Sequence, residues 1–215
     1  MNFLGHTHVA LATGSDDPAY LLGAALPDLA PMAGVRLARG GLDGALAAGV
    51  RCHLAADAAF HAHAVFRAGS GALRRTLTDR GVASGPARAV GHAGWELLLD
   101  GTLVGTAVED AFRRSLAVGE EVLPVLAPDD RPRWTRFLAR VRASSGLRYD
   151  EPRWVAERLH GMLAHRPRLR LPDRQVTTVA EALAAAAGPV AAVATAVLDD
   201  TAVGAGAGRN VTPDG

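Results

Sequence analysis

An all-α fold is what this sequence predicts, and three features predict it. Ala, Leu and Arg are abundant while Ile, Tyr, Phe and Trp are sparse, aromatic residues making up only 5% of the chain. No long run alternates apolar and polar residues with the period of a strand. Apolar residues recur instead at helical spacing between clusters of Gly, Pro, Ser and Asp. At 215 residues, 49% of them hydrophobic, the chain is long enough to bury one core. The expected architecture is a single-domain multi-helix bundle over residues 1–203, with a metal site between central helices and a flexible tail at 204–215.

The elements follow in order. Phe3 to Thr13 reads as a helix closed near Gly14. Ser15-Asp16-Asp17-Pro18 then carries a helix start, with Ser or Asp as cap and Pro in the first turn. A short helix, Ala19 to Ala25, is expected to stop at Pro27, which leaves Asp28 in a turn that could aim its carboxylate inward. Gly34 to Gly44 reads as loop, and a helix from Leu42 or Ala45 should run through His53 and Asp57 to about Phe66. Its many alanines suit a helix at the centre of a bundle. Gly69 to Gly71 should break the pattern, Leu73 to Asp79 resume it, and Gly81 to Pro86 connect to a helix reaching Leu99. Thr106 to Val118, Arg131 to Ser144 and Pro152 to Ala164 read as further helices. Val179 to Leu198 is about as long as a bilayer span but rich in Ala and divided by Gly188-Pro189, so a pair of buried helices is expected and no transmembrane span.

Composition excludes some chemistry. All 23 basic residues are arginine, so Schiff-base, pyridoxal-phosphate and Walker-type lysines are ruled out. Cys52 is the only cysteine, which rules out a disulfide within the chain. Two histidines interrupt the apolar residues near Met1 and no basic region precedes them, so no signal peptide is expected and the cytoplasm is the expected compartment. Residues 131–174 carry twelve Arg against four acids, a net charge of +8, whereas the whole chain is +1. That segment lacks interleaved aromatics and any recognised motif, so no nucleic acid is expected as a partner. Neither a nucleophile elbow nor a dinucleotide fingerprint is present.

The chemistry-bearing residues concentrate early. Six of the eight histidines, His6, His8, His53, His61, His63 and His92, lie in the first 92 residues. At about 100° per residue, His53, Asp57 and His61 fall on one helix face, and His92, Glu96 and Asp100 repeat the pattern. Imidazoles and carboxylates at i, i+4 are ligands for Zn, Mn or Fe, and two such helices facing one another could hold one ion or two. A lone buried histidine is more often a hydrogen-bonded core residue, but two His–carboxylate pairs among alanines would be costly to bury without a cation. His53, Asp57, His92 and Glu96 are the strongest candidates, and Asp28 is the candidate to position or deprotonate a water. His6 and His8 sit about 200° apart, so one of them should reach a metal. His61 is favoured over His63, and Cys52 and Trp95 read as core.

These residues also carry a resemblance. Met1-Asn2-Phe3-Leu4-Gly5-His6 resembles the M-N-F-L-A-H opening of the acyl-carrier-protein phosphodiesterase family. Gly49-Val50-Arg51-Cys52-His53-Leu54-Ala55-Ala56-Asp57 is similar to its G-I-x-x-H-R-x-I-D, and Gly161 to Leu169 to its G-M-x-x-R-R-P-R-L. Where that family has T-D, this chain has Phe60-His61, and where it has D-x-x-W-D-H, this chain has His92 to Leu97. The changed positions resemble zinc-dependent phospholipase C domains, whose G-A-x-x-P-D, G-x-x-x-H-x-x-x-D and H-x-x-x-E segments match Gly23 to Asp28, Gly49 to Asp57 and His92 to Glu96, with Thr7-His8-Val9 fitting their early T-H.

Both resemblances imply an α-helical phosphodiesterase in which a metal-activated water attacks phosphorus. The ligands would come from His6 or His8, Asp28, His53, Asp57, His61, His92 and Glu96, holding one or two divalent ions, Zn or Mn, with Fe a third choice. The substrate would be a phosphodiester, on an acidic carrier protein or in a phospholipid headgroup. Arg166, Arg168 and Arg170 are candidates to meet the phosphate or the partner, with a solvated basic face as the alternative. The reading from another class is a non-catalytic helical protein that binds metal or a partner.

Overall fold

A computed structural model describes residues 1–13, 15–37, 41–144 and 146–207. The fold is all-α, 78% helical, and among the described residues it has nine α-helices and no strand. Leu37 and Leu126 form an isolated antiparallel bridge. The helices are α1 (Phe3–Ala12), α2 (Pro18–Ala33), α3 (Gly44–Ala62), α4 (Ala64–Asp79), α5 (Ser84–Gly101), α6 (Ala107–Ser115), α7 (Arg131–Ala143), α8 (Pro152–Leu163) and α9 (Val176–Ala207). Short 3-10 segments occupy Leu116–Val125 and Asp173–Gln175. The chain divides into two compact units: one of Asn2–Ala59, Gly105–Gly146 and the chain from Leu198, the other of Met1, Phe60–Val104 and Leu147–Val197.

In the first unit, Asp17 caps α2 by accepting from the Ala19 N–H at 2.8 Å, and Pro18 takes the first helical position. The helix does not stop at Pro27. It continues through Pro27 and Pro31 to Gly34, whose φ of 69° closes it with a bond from Val35 N to Ala30 O. Each proline removes an amide donor and crowds the carbonyl four residues back. The buried stripe Leu21, Leu22, Ala25, Leu26, Leu29 and Ala30 continues past Pro27, and its burial outweighs that local cost. A Cβ on Gly23 would collide with the Leu46 carbonyl and one on Gly49 with the Tyr20 carbonyl, so α2 and α3 cross with their backbones in contact. Asp28 therefore projects from a helix and not from a turn.

The rest of this unit packs around Phe3, stacked on Phe112 at 5.2 Å, and around fully buried Trp134, whose indole N–H donates to the Gly119 carbonyl at 2.7 Å. Thr106 caps α6. Arg142 reaches the Leu116 carbonyl and Glu120, so it ties α7 to the 3-10 segment.

In the second unit, α4 and α5 form an antiparallel hairpin. The expected break at Gly69–Gly71 is absent: both glycines lie inside α4, and at Gly69 α5 comes close. A Cβ on Gly69 would strike the Trp95 indole, and one on Gly91 would press on the Ser70 carbonyl and on Arg74. Gly94 faces Leu183, Leu159 and Leu73, where α5 meets α8 and α9. The helix expected to run to Phe66 ends at Ala62, and His63 caps α4 by accepting from Val65 N at 3.2 Å.

Helix α9 is continuous across Gly188-Pro189 in place of the expected pair. Its buried positions Val179, Ala182, Leu183, Val190, Ala194, Val197 and Leu198 carry one stripe past the proline. By length and composition alone it could cross a bilayer, although a third of its most apolar window is buried in the protein. Residues 204–207, expected in the tail, are its last turn, and 208–215 lie outside the described residues.

Candidate metal centres and an arginine-lined cleft

The eight predicted metal ligands are not gathered into one centre. Among the described residues, three of them form one group in the first unit and three another in the second.

In the second unit, Phe60 and His61 lie on the last turn of α3, and His92 and Glu96 stand one turn apart on α5. His61 and His92 both point Nε2 at the same Glu96 oxygen, at 3.0 and 3.1 Å. Their rings are parallel, 5.1 Å apart, and Phe66 stands edge-on to both. Phe60 and Trp95 pack against Phe66. The Met1 amino nitrogen lies 3.4 Å from the same carboxylate oxygen. Burial by itself would push the Glu96 carboxyl up, but the hydrogen bonds from His61 and His92 and the amino-terminal charge overcome it and hold the group at about 2. Glu96 is therefore ionised at neutral pH.

The donor set fits a divalent ion. Two imidazoles and a carboxylate are a common zinc combination with one position left open, and ligands about 2.1 Å from a tetrahedral ion stand roughly 3.4 Å from one another. The observed 3.0 and 3.1 Å spacings are close to that.

A cleft of about 720 Å³ opens beside this group. His61 and His92 line it together with Arg67, Arg74 and Arg75 of α4 and Arg88 of α5. Arg88 and His92 also border a second groove of about 480 Å³ whose apolar wall is Leu159, Met162, Leu163 and Leu169, with Arg166 at its edge. Sequence reasoning passed over Arg67, Arg74, Arg75 and Arg88. The signal was present, since residues 67, 71, 74 and 75 share one helix face, but reading Gly69–Gly71 as a break concealed it.

In the first unit, His6, Asp28 and His53 bring their ligand atoms within 4.8 Å of one another. The His6 and His53 rings stack at 3.8 Å, and His6 Nε2 lies 3.8 Å from Asp28 Oδ2. His53 Nδ1 donates to the Ala24 carbonyl at 2.8 Å, which fixes the tautomer and leaves Nε2 as acceptor or ligand. Desolvation lowers the His53 pKa, outweighing the Ala24 bond and the Asp57 charge, so the ring is neutral. This donor set also fits a divalent ion, but His6 and His53 are almost wholly buried.

The remaining candidates stand apart from both groups. Asp57, one turn beyond His53, acts on it through charge and is not in the cluster. His8 places Nε2 3.5 Å from Asp199 Oδ1. Arg166, Arg168 and Arg170 are exposed, and Arg166 borders the second groove. Cys52 is buried and meets Thr13 at 3.9 Å, as a core residue would.

The chain matches no protein-family model, no curated protein and no solved structure.

Proposed function

We propose that the chain is a metal-dependent hydrolase of phosphate esters, with His61, His92 and Glu96 as ligands of a Zn or Mn ion. The observation that carries this reading is the junction of a His–His–Glu group with a cleft lined by four arginines. A bound divalent ion would supply an activated water and a counter-charge for phosphoryl oxygens. The protein's own residues do the rest. Glu96 stays ionised and, without an ion, gathers both Nε2 atoms at the point where a metal would replace the shared protons. Phe66 sets the angle of those rings, and Arg88, next to His92 on α5, presents a planar fork suited to phosphate oxygens. The resemblance to phosphodiesterases in residues 1–6, 49–57 and 161–169 supports the same class of substrate, a phosphodiester. The buried His6–Asp28–His53 group is assigned a structural part, since its two imidazoles are closed to a substrate.

The test is elemental analysis of unchelated protein together with hydrolysis of bis-p-nitrophenyl phosphate. The expected result is at least one divalent ion per chain and turnover that a chelator abolishes. Absence of turnover at full Zn or Mn loading overturns the reading.

A further inference from the structure

The four arginines of the cleft share one setting: all are exposed and all line the same concavity. Arg113, Arg133, Arg142, Arg148 and Arg153 each hold a carboxylate at 2.6 to 3.1 Å. Among the described residues no carboxylate pairs with Arg67, Arg74, Arg75 or Arg88, although all four line one concavity. The single acid beside them, Glu96, is already engaged by His61 and His92. Guanidinium groups that share one cleft repel one another. A row of them retained along a cleft is explained by an anion from solution.

The row is too long for one small anion. From Arg67 to Arg75 α4 rises about 12 Å at 1.5 Å per residue, and Arg88 adds a fourth guanidinium from α5 beside His92. Gly71, midway along the row, leaves backbone in place of a side chain, and a Cβ there would make only an ordinary contact with Arg75. The floor is therefore open to a ligand. Arginine favours phosphate in particular, because its planar donors match two phosphoryl oxygens at once.

We infer that this cleft is a second phosphate subsite, so that the ligand is a small molecule bearing a pyrophosphate or two phosphate groups. One phosphate meets Arg88 and the His61–His92–Glu96 group, and the other is held by Arg67, Arg74 and Arg75. The identity of the ligand as a substrate rests on the hydrolase reading. Its recognition by the arginines does not, and it can be measured without metal.

The experiment is calorimetric titration of chelator-treated full-length protein at low ionic strength with inorganic pyrophosphate and, separately, inorganic phosphate. Pyrophosphate should bind at least tenfold more tightly than phosphate, and the Arg74→Gln/Arg75→Gln double variant should lose most of that preference. Arg67→Gln carries the same test if the double variant loses its helical circular dichroism. Equal affinity for the two anions, or a preference that survives both variants, overturns the inference. Tighter binding of a single-stranded oligonucleotide than of pyrophosphate also overturns it, in favour of a polymer. Failure of bis-p-nitrophenyl phosphate turnover with retained pyrophosphate preference would count against the hydrolase reading alone.

Discussion

The two His–carboxylate groups have similar donors and opposite surroundings. In the first unit His6 and His53 are about 1% and 6% exposed, stacked face to face, and held by a backbone carbonyl. In the second, the His92 side chain is 51% exposed and the group borders a cationic cleft. Donor chemistry says only that a metal would fit. Access separates the two, because hydrolysis needs an open coordination position and a route for the ester, whereas a closed site serves stability. Ligand type alone would have assigned both groups the same role.

The largest effect that would break this contrast is on turnover. Glu96→Ala removes the carboxylate that both imidazoles share and should lower hydrolysis of bis-p-nitrophenyl phosphate by at least about a hundredfold, with the fold retained by circular dichroism. His53→Ala should instead leave turnover per folded molecule within a few-fold. It strands the Ala24 carbonyl, removes the stacked ring and opens a cavity, a loss of about 3 kcal/mol in denaturant unfolding. Reversal of these two outcomes would assign the chemistry to the buried group.

Acid stability sharpens the same comparison in metal-free protein. The folded pKa of His53 is lowered, so the unfolded chain binds more protons just below pH 6.5 and stability falls as the pH drops through that value. Glu96 is held at about 2 against an ordinary 4.5, so its contribution, at most about 3 kcal/mol, is present above pH 4.5 and lost on acidification toward 2. Urea midpoints measured from pH 7 to 2 should therefore show His53→Gln flattening the upper part of the curve and Glu96→Gln the lower part.

How much of this could be read from the sequence follows a physical division. The all-α class, the Asp17-Pro18 start of α2, the α6 to α8 helices and the shared face of His92 and Glu96 are local properties, and they were legible. Pro27, Gly69–Gly71 and Gly188-Pro189 read as breaks because their cost, about 1 kcal/mol for a glycine and about 3 kcal/mol for a proline, is local, while the buried stripes that carry the helices past them depend on partners distant in sequence. The i, i+4 rule says which donors share a face but not what that face meets. His53 thus joins His6 and Asp28, His61 joins His92 and Glu96, and Asp57 joins neither group.

The smallest effect repeats the contrast between closed and open within one helix. Gly69 and Gly71 lie two residues apart on α4, and each as glycine costs helix stability of about 1 kcal/mol relative to alanine. A methyl on Gly69 meets the Trp95 indole, which is buried under Phe66 and cannot retreat, so Gly69→Ala should destabilise by roughly 1–3 kcal/mol despite the better propensity. A methyl on Gly71 meets only Arg75, at an ordinary 3.5 Å, so Gly71→Ala should raise the urea midpoint by the equivalent of about 0.5–1 kcal/mol. The same methyl would stand on the floor of the arginine-lined cleft, so the stabilised variant should also bind pyrophosphate more weakly. A variant that gains stability and keeps full affinity would show that the ligand does not approach α4 at Gly71.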